Sequence, residues 1–132
     1  MREILFRAKD IDTDAFPEWI YGYAVFDAYT SEWAIFNEND GETFGCTVNP
    51  DTLCQYTGVT DKNGNKIFEG DIVLKRTYNG KKPIPVTFHD GMFHCGWGGG
   101  SSTATHAYTL NDKQIEVIGN IYDNPELLKG EK

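Results

Sequence analysis

The chain has 132 residues and a mass of 14.9 kDa, enough for one domain, or a small domain with an appendage, and too little for a second full-sized enzyme domain. Its 39% hydrophobic, 14% aromatic and 24% charged content is that of a folded chain and excludes a disordered one. The net charge of -8 sits in residues 1–54, where eleven carboxylates face only Arg2, Arg7 and Lys9; a general nucleic-acid or membrane-surface binder, which needs positive potential, is therefore not expected.

Taken in chain order, residues 3–8 alternate as a strand, with Ile4, Phe6 and Ala8 on one face. Residues 19–26 and 32–36 are aromatic-rich strands joined by a turn over 27–31, making an antiparallel pair. An acidic connector at 37–42 leads to a short strand at 43–48. Residues 1–50 thus predict an acidic N-terminal β lobe. Beyond it, 53–57 is a strand, Asp61-Lys62-Asn63-Gly64 a turn, and 72–78 a strand entered through Glu69-Gly70-Asp71. Asp90-Gly91 is the dipeptide of a type I′ turn, and it sets 86–89 against 92–95. In that register Val86, Phe88, Phe93 and Cys95 share a face, which is the expected core. The glycine-rich 96–102 segment reads as a loop and 115–122 as a strand. Residues 123–128 read as a short helix start, with Asn124 as N-cap and Pro125 at the first helical position. Helical periodicity is otherwise nearly absent, so the chain reads as mostly β.

Chemistry-bearing residues are sparse. Cys46, Cys54 and Cys95 are an odd number without CxxC spacing, which points away from disulfides and zinc ribbons and toward a reducing cytoplasm. With no signal-peptide pattern and no apolar run of membrane-spanning length, a cytosolic, soluble protein is expected. His89 and His94 are diagonal neighbours on the predicted hairpin, but neither His106 nor another cysteine stands at a diagnostic spacing to complete a site, so no metal is expected. Glu69 and Asp71 read as turn chemistry more readily than as an acid/base pair. Ser101 and Ser102 lack the elbow a serine nucleophile needs. Lys75, Arg76, Lys81 and Lys82 bracket Asn79-Gly80, so four cations gather near one turn. The glycine-rich loop carries Trp97, and bare amides beside an aromatic plane suit a phosphate or a base, although no Lys-Ser/Thr and helix follow to make a P-loop.

Three stretches together carry a family resemblance. Residues 55–73 (QYTGVTDKNGNKIFEGDIV), the opening 2–10 (REILFRAKD) and the closing 117–128 (VIGNIYDNPELL) resemble the YopX family of phage and prophage proteins. They span about a third of the chain, in the family's order. Lys9 stands where that family usually has Trp, and the 96–103 loop is not part of its pattern. The resemblance implies a small SH3-type barrel over 51–132, with a C-terminal helical turn and the N-terminal β lobe as an addition. It supplies no catalytic residues and no cofactor. The motif also has a structural reading, with Tyr56, Ile67, Phe68, Ile72 and Val73 as core, Gly58, Gly64 and Gly70 as turn residues, and Asn120 bonding backbone. The expected function is that of a phage or prophage accessory protein in the bacterial cytoplasm, a homo-oligomeric binding module and not an enzyme. Two other readings stand beside it. One is a protein that sequesters a small anionic, nucleotide-type ligand on Lys75, Arg76, Lys81, Lys82 and Trp97. The other is an acidic nucleic-acid mimic that occupies a host protein.

Overall fold

The structure, a computed structural model, describes residues 3–11, 18–39, 42–77, 80–89, 91–96, 107–109 and 115–128. It divides into two compact units, Met1–Tyr56 and Thr57–Lys132. Among the described residues it is mostly β: two antiparallel sheets, single 3-10 turns, and no α-helix, let alone one long and apolar enough to cross a membrane.

The first unit is built on β1 (Phe6–Lys9), β2 (Trp19–Asp27), β3 (Glu32–Asn39) and β4 (Glu42–Val48), with β1 also pairing the start of β5 (Cys54–Thr60). Ile4 lies ahead of β1 and is exposed, so the expected apolar face begins at Phe6. The β2–β3 turn is held by Asp27, whose carboxylate accepts the amides of Tyr29 and Thr30, while Ser31 takes a φ of 60°. The acidic connector expected over 37–42 is instead mostly ladder: Asn37↔Phe44, Glu38↔Thr43 and Asn39↔Glu42 continue the β3–β4 register. Backbone pairing there overrides the low strand propensity of Asn and Glu. After β4, Asn49 caps a 3-10 turn at Pro50–Thr52 by accepting the Asp51 amide. A lone bridge, Asp10↔Val48, ties the end of β1 to the end of β4.

Alternation gives this sheet two different faces. Ala8, Ile35 and Val48 are buried on one, with Phe6, Ile20, Trp33 and Leu53 packed against them. Close backbone approach fixes Gly22, because a Cβ there would run into the Phe36 carbonyl oxygen.

In the second unit the later part of β5 is followed by β6 (Lys66–Phe68), its neighbour in the sheet. A second sheet runs in the order β10-β9-β8-β7-β11, from β7 (Asp71–Thr77), β8 (Gly80–His89), β9 (Met92–Gly96), β10 (Ala107–Thr109) and β11 (Ile115–Asn120). Neither sheet closes on itself among the described residues. Three strands exceed the sequence reading. β6 and β10 are absent from it, and β8 begins six residues before the expected start. Pro83 and Pro85 hide that early half. They pair Leu74 and Ile72 of β7, and β8 meets β9 only from Val86 onward. Prolines two residues apart turn their missing amides to the same edge, so this half can keep its ladder to β7 while its other edge carries no pairing to β9.

The core of this unit is Ile67, Val73, Ile84, Val86, Cys95 and Ile115, with Val59 and Val117 partly buried against it. Phe68 and Ile72 are buried as well, as is Tyr56, the last residue of the first unit, and Gly58, Gly64 and Gly70 all take φ between 86° and 89°, as the structural reading of the long motif requires. The Asp90-Gly91 hairpin has the expected register, Val86↔Cys95, Thr87↔His94, Phe88↔Phe93 and His89↔Met92. Its burial differs. Phe88 is 54% exposed, not core, and its ring meets Phe93 edge-on at a centroid distance of 4.9 Å. The reason is position along the strand: Ile84 and Val86 lie within the cluster of Ile67, Val73, Cys95 and Ile115, and Phe88, two residues further on, lies beyond it.

At the C-terminal end the expected helix start is a single 3-10 turn, Pro125–Leu128. Asn124 does not cap forward; its side chain accepts the Asn120 amide behind it. Asn120 bonds backbone as expected, its side-chain oxygen accepting the amides of Tyr122 and Asp123. A Cβ at Gly119 would collide with the Asn124 side-chain oxygen and with Leu127, so the glycine of Ile118-Gly119-Asn120 is what lets the turn fold back on β11.

Candidate functional site

The cations of the β7–β8 hairpin are placed by its register. Lys75 lies opposite Lys82, and Arg76 opposite Lys81, ahead of the Thr77↔Gly80 pair. Directly opposed residues share a face and successive residues alternate, so the four cations form two like-charge pairs on opposite faces of the hairpin. Arg76 and Lys81 are exposed. Lys75 is only 7% exposed, on the face that carries Val73 and Ile84, and Lys82 beside it is half-buried. Like charges set directly across a ladder repel, so the exposed Arg76–Lys81 pair adds no stability to the hairpin on its own. Trp97, together with 97–102 of the glycine-rich loop and Asn79 of the turn, lies outside the described residues.

Lys75 also acts on a thiol. Burial pushes the Cys95 thiol up to about 11, with the Lys75 charge pulling the other way and losing. At neutral pH Cys95 is therefore a protonated, buried core residue. In native protein at mildly alkaline pH we expect its alkylation to be at least about a hundredfold slower than in unfolded chain. A mass-spectrometric time course with iodoacetamide checks this, and equal rates would overturn it.

The remaining candidates take structural roles. Asp71 is buried and its carboxylate accepts the Phe68 amide at 2.8 Å, while Gly70 donates to the Val86 carbonyl and accepts from Ile121. Glu69-Gly70-Asp71 thereby locks the β6–β7 turn against β8 and the end of β11. His94 pairs Thr87, and His89 pairs Met92. Among the described residues no three His, Cys, Asp or Glu side chains are grouped to hold a metal ion.

Sequence reasoning missed a buried, multiply bonded carboxylate. Asp61, read as an ordinary turn residue, is 3% exposed and accepts four hydrogen bonds. They come from the amides of Asn63 (2.9 Å), Asn65 (2.8 Å) and Val117 (2.9 Å) and from the Asn65 side chain (3.3 Å). Burial pushes its carboxyl up, but the Val117, Asn65 and Asn63 amides and the Asn65 side chain more than offset this and hold it below the usual carboxylate value. The bond to Val117, 56 residues away, pins the β5–β6 turn to β11.

A second feature lies on the first unit. The sheet face opposite the Ala8–Ile35–Val48 core carries Tyr21, Tyr23 and Val25 of β2 and Phe36 of β3, all exposed. The Phe36 ring lies over Gly45 of β4, where a Cβ would strike it. At one end of the face, Trp19 has the Arg7 guanidinium 4.5 Å and the Lys9 ammonium 5.4 Å from its ring centroid. At the other end lie the paired carboxylates of Asp27 and Glu32.

Comparison with known proteins agrees with the resemblance carried by the three motifs. A family model described as YopX protein matches residues 5–129. Among solved structures, the chain is similar to the crystal structure of protein EF1440 from Enterococcus faecalis, with 26% identity and a TM-score of 0.56, over 97% of this chain and 99% of that one. Among curated proteins there is no match.

Proposed function

This chain belongs to the YopX family, and we propose that it is a phage or prophage accessory protein that works in the bacterial cytoplasm by binding, not by catalysis. In this reading the second unit is an open version of an SH3-type barrel, and its β7–β8 hairpin presents Arg76 and Lys81 to an acidic surface on a protein partner. The observation that carries the reading is the exposed like-charge couple Arg76–Lys81, set directly across the ladder. An isolated hairpin gains nothing from that arrangement, whereas an anionic partner relieves the repulsion and gains from it. The partner is acidic protein rather than nucleic acid, because the chain's own -8 charge opposes a long polyanion. The chain also associates with itself in this reading.

Titration with a fluorescent acidic peptide, in parallel with a nucleoside triphosphate, tests it. Reversing both exposed charges (Arg76→Glu with Lys81→Glu) is expected to weaken peptide binding roughly tenfold or more, and high salt should do the same to the unaltered protein. Binding of the triphosphate with no affinity for the peptide would replace this reading with sequestration of a small anion. Affinity indifferent to charge reversal would end both, and turnover of any substrate by pure protein would refute the class.

A further inference from the structure

We propose that two copies of this chain pair face to face through the aromatic side of the first unit's sheet, with Tyr21, Tyr23, Val25 and Phe36 at the centre of the contact. The inference rests on the self-association in the reading above and names the surface that carries it. Three observations support a second copy as the occupant.

The first is composition and exposure. The four side chains come from alternating positions on β2 and from β3, the strand paired with it, and Tyr23, the most exposed, is 63% accessible. Tyrosine and phenylalanine in a contiguous sheet patch are what the buried centre of an interface uses, since each covers a large area with few torsions to freeze. The second observation is flatness. Gly45 leaves space on β4 for the Phe36 ring to lie over the backbone, so the patch presents a broad surface of the kind that stacks on another sheet about 10 Å away.

Charge supplies the third. From Trp19 to Asp27, β2 spans roughly 27 Å, with the half-buried Lys9 at its start and the exposed Asp27 and Glu32 at its end; Arg7, opposite Tyr21, is only 6% exposed and does not contribute. A two-fold axis lying in the contact plane, across the strands, reverses the strand direction of one copy relative to the other. That operation lays the carboxylate end of each copy over the cationic end of its mate and sets aromatic centre on aromatic centre. The opposite choice, strands parallel, would put cations on cations and carboxylates on carboxylates. Hence the face is self-complementary in one orientation only.

Sedimentation velocity over a wide range of concentration, on the full chain, tests the proposal. The unaltered protein should show a concentration-dependent dimer. Tyr23→Glu should raise its dissociation constant on the order of thirtyfold or more, as expected for a central aromatic anchor. Tyr23→Thr, which keeps a strand-compatible β-branched residue, should act in the same direction without disturbing the ladder. Lys9→Glu and Glu32→Lys should each weaken pairing, and the two together in one chain should restore it, which loss of folding cannot imitate. A protein monomeric throughout, association untouched by both Tyr23 variants, or a double swap no better than the single ones would overturn the proposal. The reversal at Arg76 and Lys81 should leave the dimer unchanged, so failure of the hairpin reading and failure of this one are read from different variants.

Discussion

Replacing Asp61 by alanine is expected to destabilise the protein by about 3–4 kcal/mol, one of the largest losses any single polar side chain here can give. The carboxylate accepts three backbone amides and one side-chain amide while almost fully buried. Alanine leaves those donors facing one another with no protein acceptor. Because Val117 belongs to β11 and Asn63 and Asn65 to the β5–β6 turn, the loss frees the turn from the strand as well as breaking bonds. The pH dependence follows from the sign of the shift. With the folded-state pKa held below the ordinary carboxylate value of about 3.9, the stabilisation is fully present above that value. It is lost as the pH falls from there through the folded-state pKa. Urea denaturation at neutral pH and near pH 3 should therefore show the unaltered protein losing stability on acidification, and Asp61→Asn losing less because it has no proton to gain. A penalty below about 1 kcal/mol for alanine, or an acid limb just as steep in the asparagine variant, would show that this carboxylate does not hold the turn.

What could be read from the sequence and what could not divides along a physical line. Local backbone chemistry was legible. Asp90-Gly91 gave the correct partner for all four hairpin pairs because only a left-handed turn fits two strands at that spacing, and Gly91 does take a φ of 76°. Depth was not legible, because alternation tells which residues share a face and is silent on where along it the core cluster stops; Val86 and Phe88 share a face, one buried and the other 54% exposed. Lys66-Ile67-Phe68 is too short to show a period, and the prolines of β8 argue against a strand until its one-sided pairing is known. The candidate sites follow the same rule. That four cations flank one turn was plain, but whether Lys75 turned in or out depended on a register no short-range signal encodes, and a lysine is normally taken to be outside. The tyrosines of β2 were visible as an aromatic-rich strand. Which of its two faces went inward was decided by Ile35 and Val48 on other strands, so the exposed row emerged only with the sheet.

The contrast between two core positions gives the second large effect. Ile67 is completely buried in the second unit, among Val73, Ile84, Val86, Cys95 and Ile115, and Ile67→Ala should destabilise by about 2–5 kcal/mol through lost burial and the cavity left behind. The site has little freedom to collapse. The carbonyl of Ile67 accepts the buried Thr57 hydroxyl at 2.8 Å, and the Phe68 amide of the same peptide group is held by Asp71, so the backbone that follows the side chain is tied at both its polar atoms and the value should fall in the upper half of the range. Phe88→Ala removes a larger side chain and should lose only about 1 kcal/mol, the worth of one edge-to-face contact with Phe93 plus partial burial. Ranking by residue size alone would put phenylalanine first, whereas ranking by membership of the core cluster puts isoleucine first. Chemical denaturation of the two variants decides between them. A Phe88→Ala loss equal to or above that of Ile67→Ala would mean that the β8–β9 hairpin is covered beyond Val86, and that its outer end belongs to the core after all.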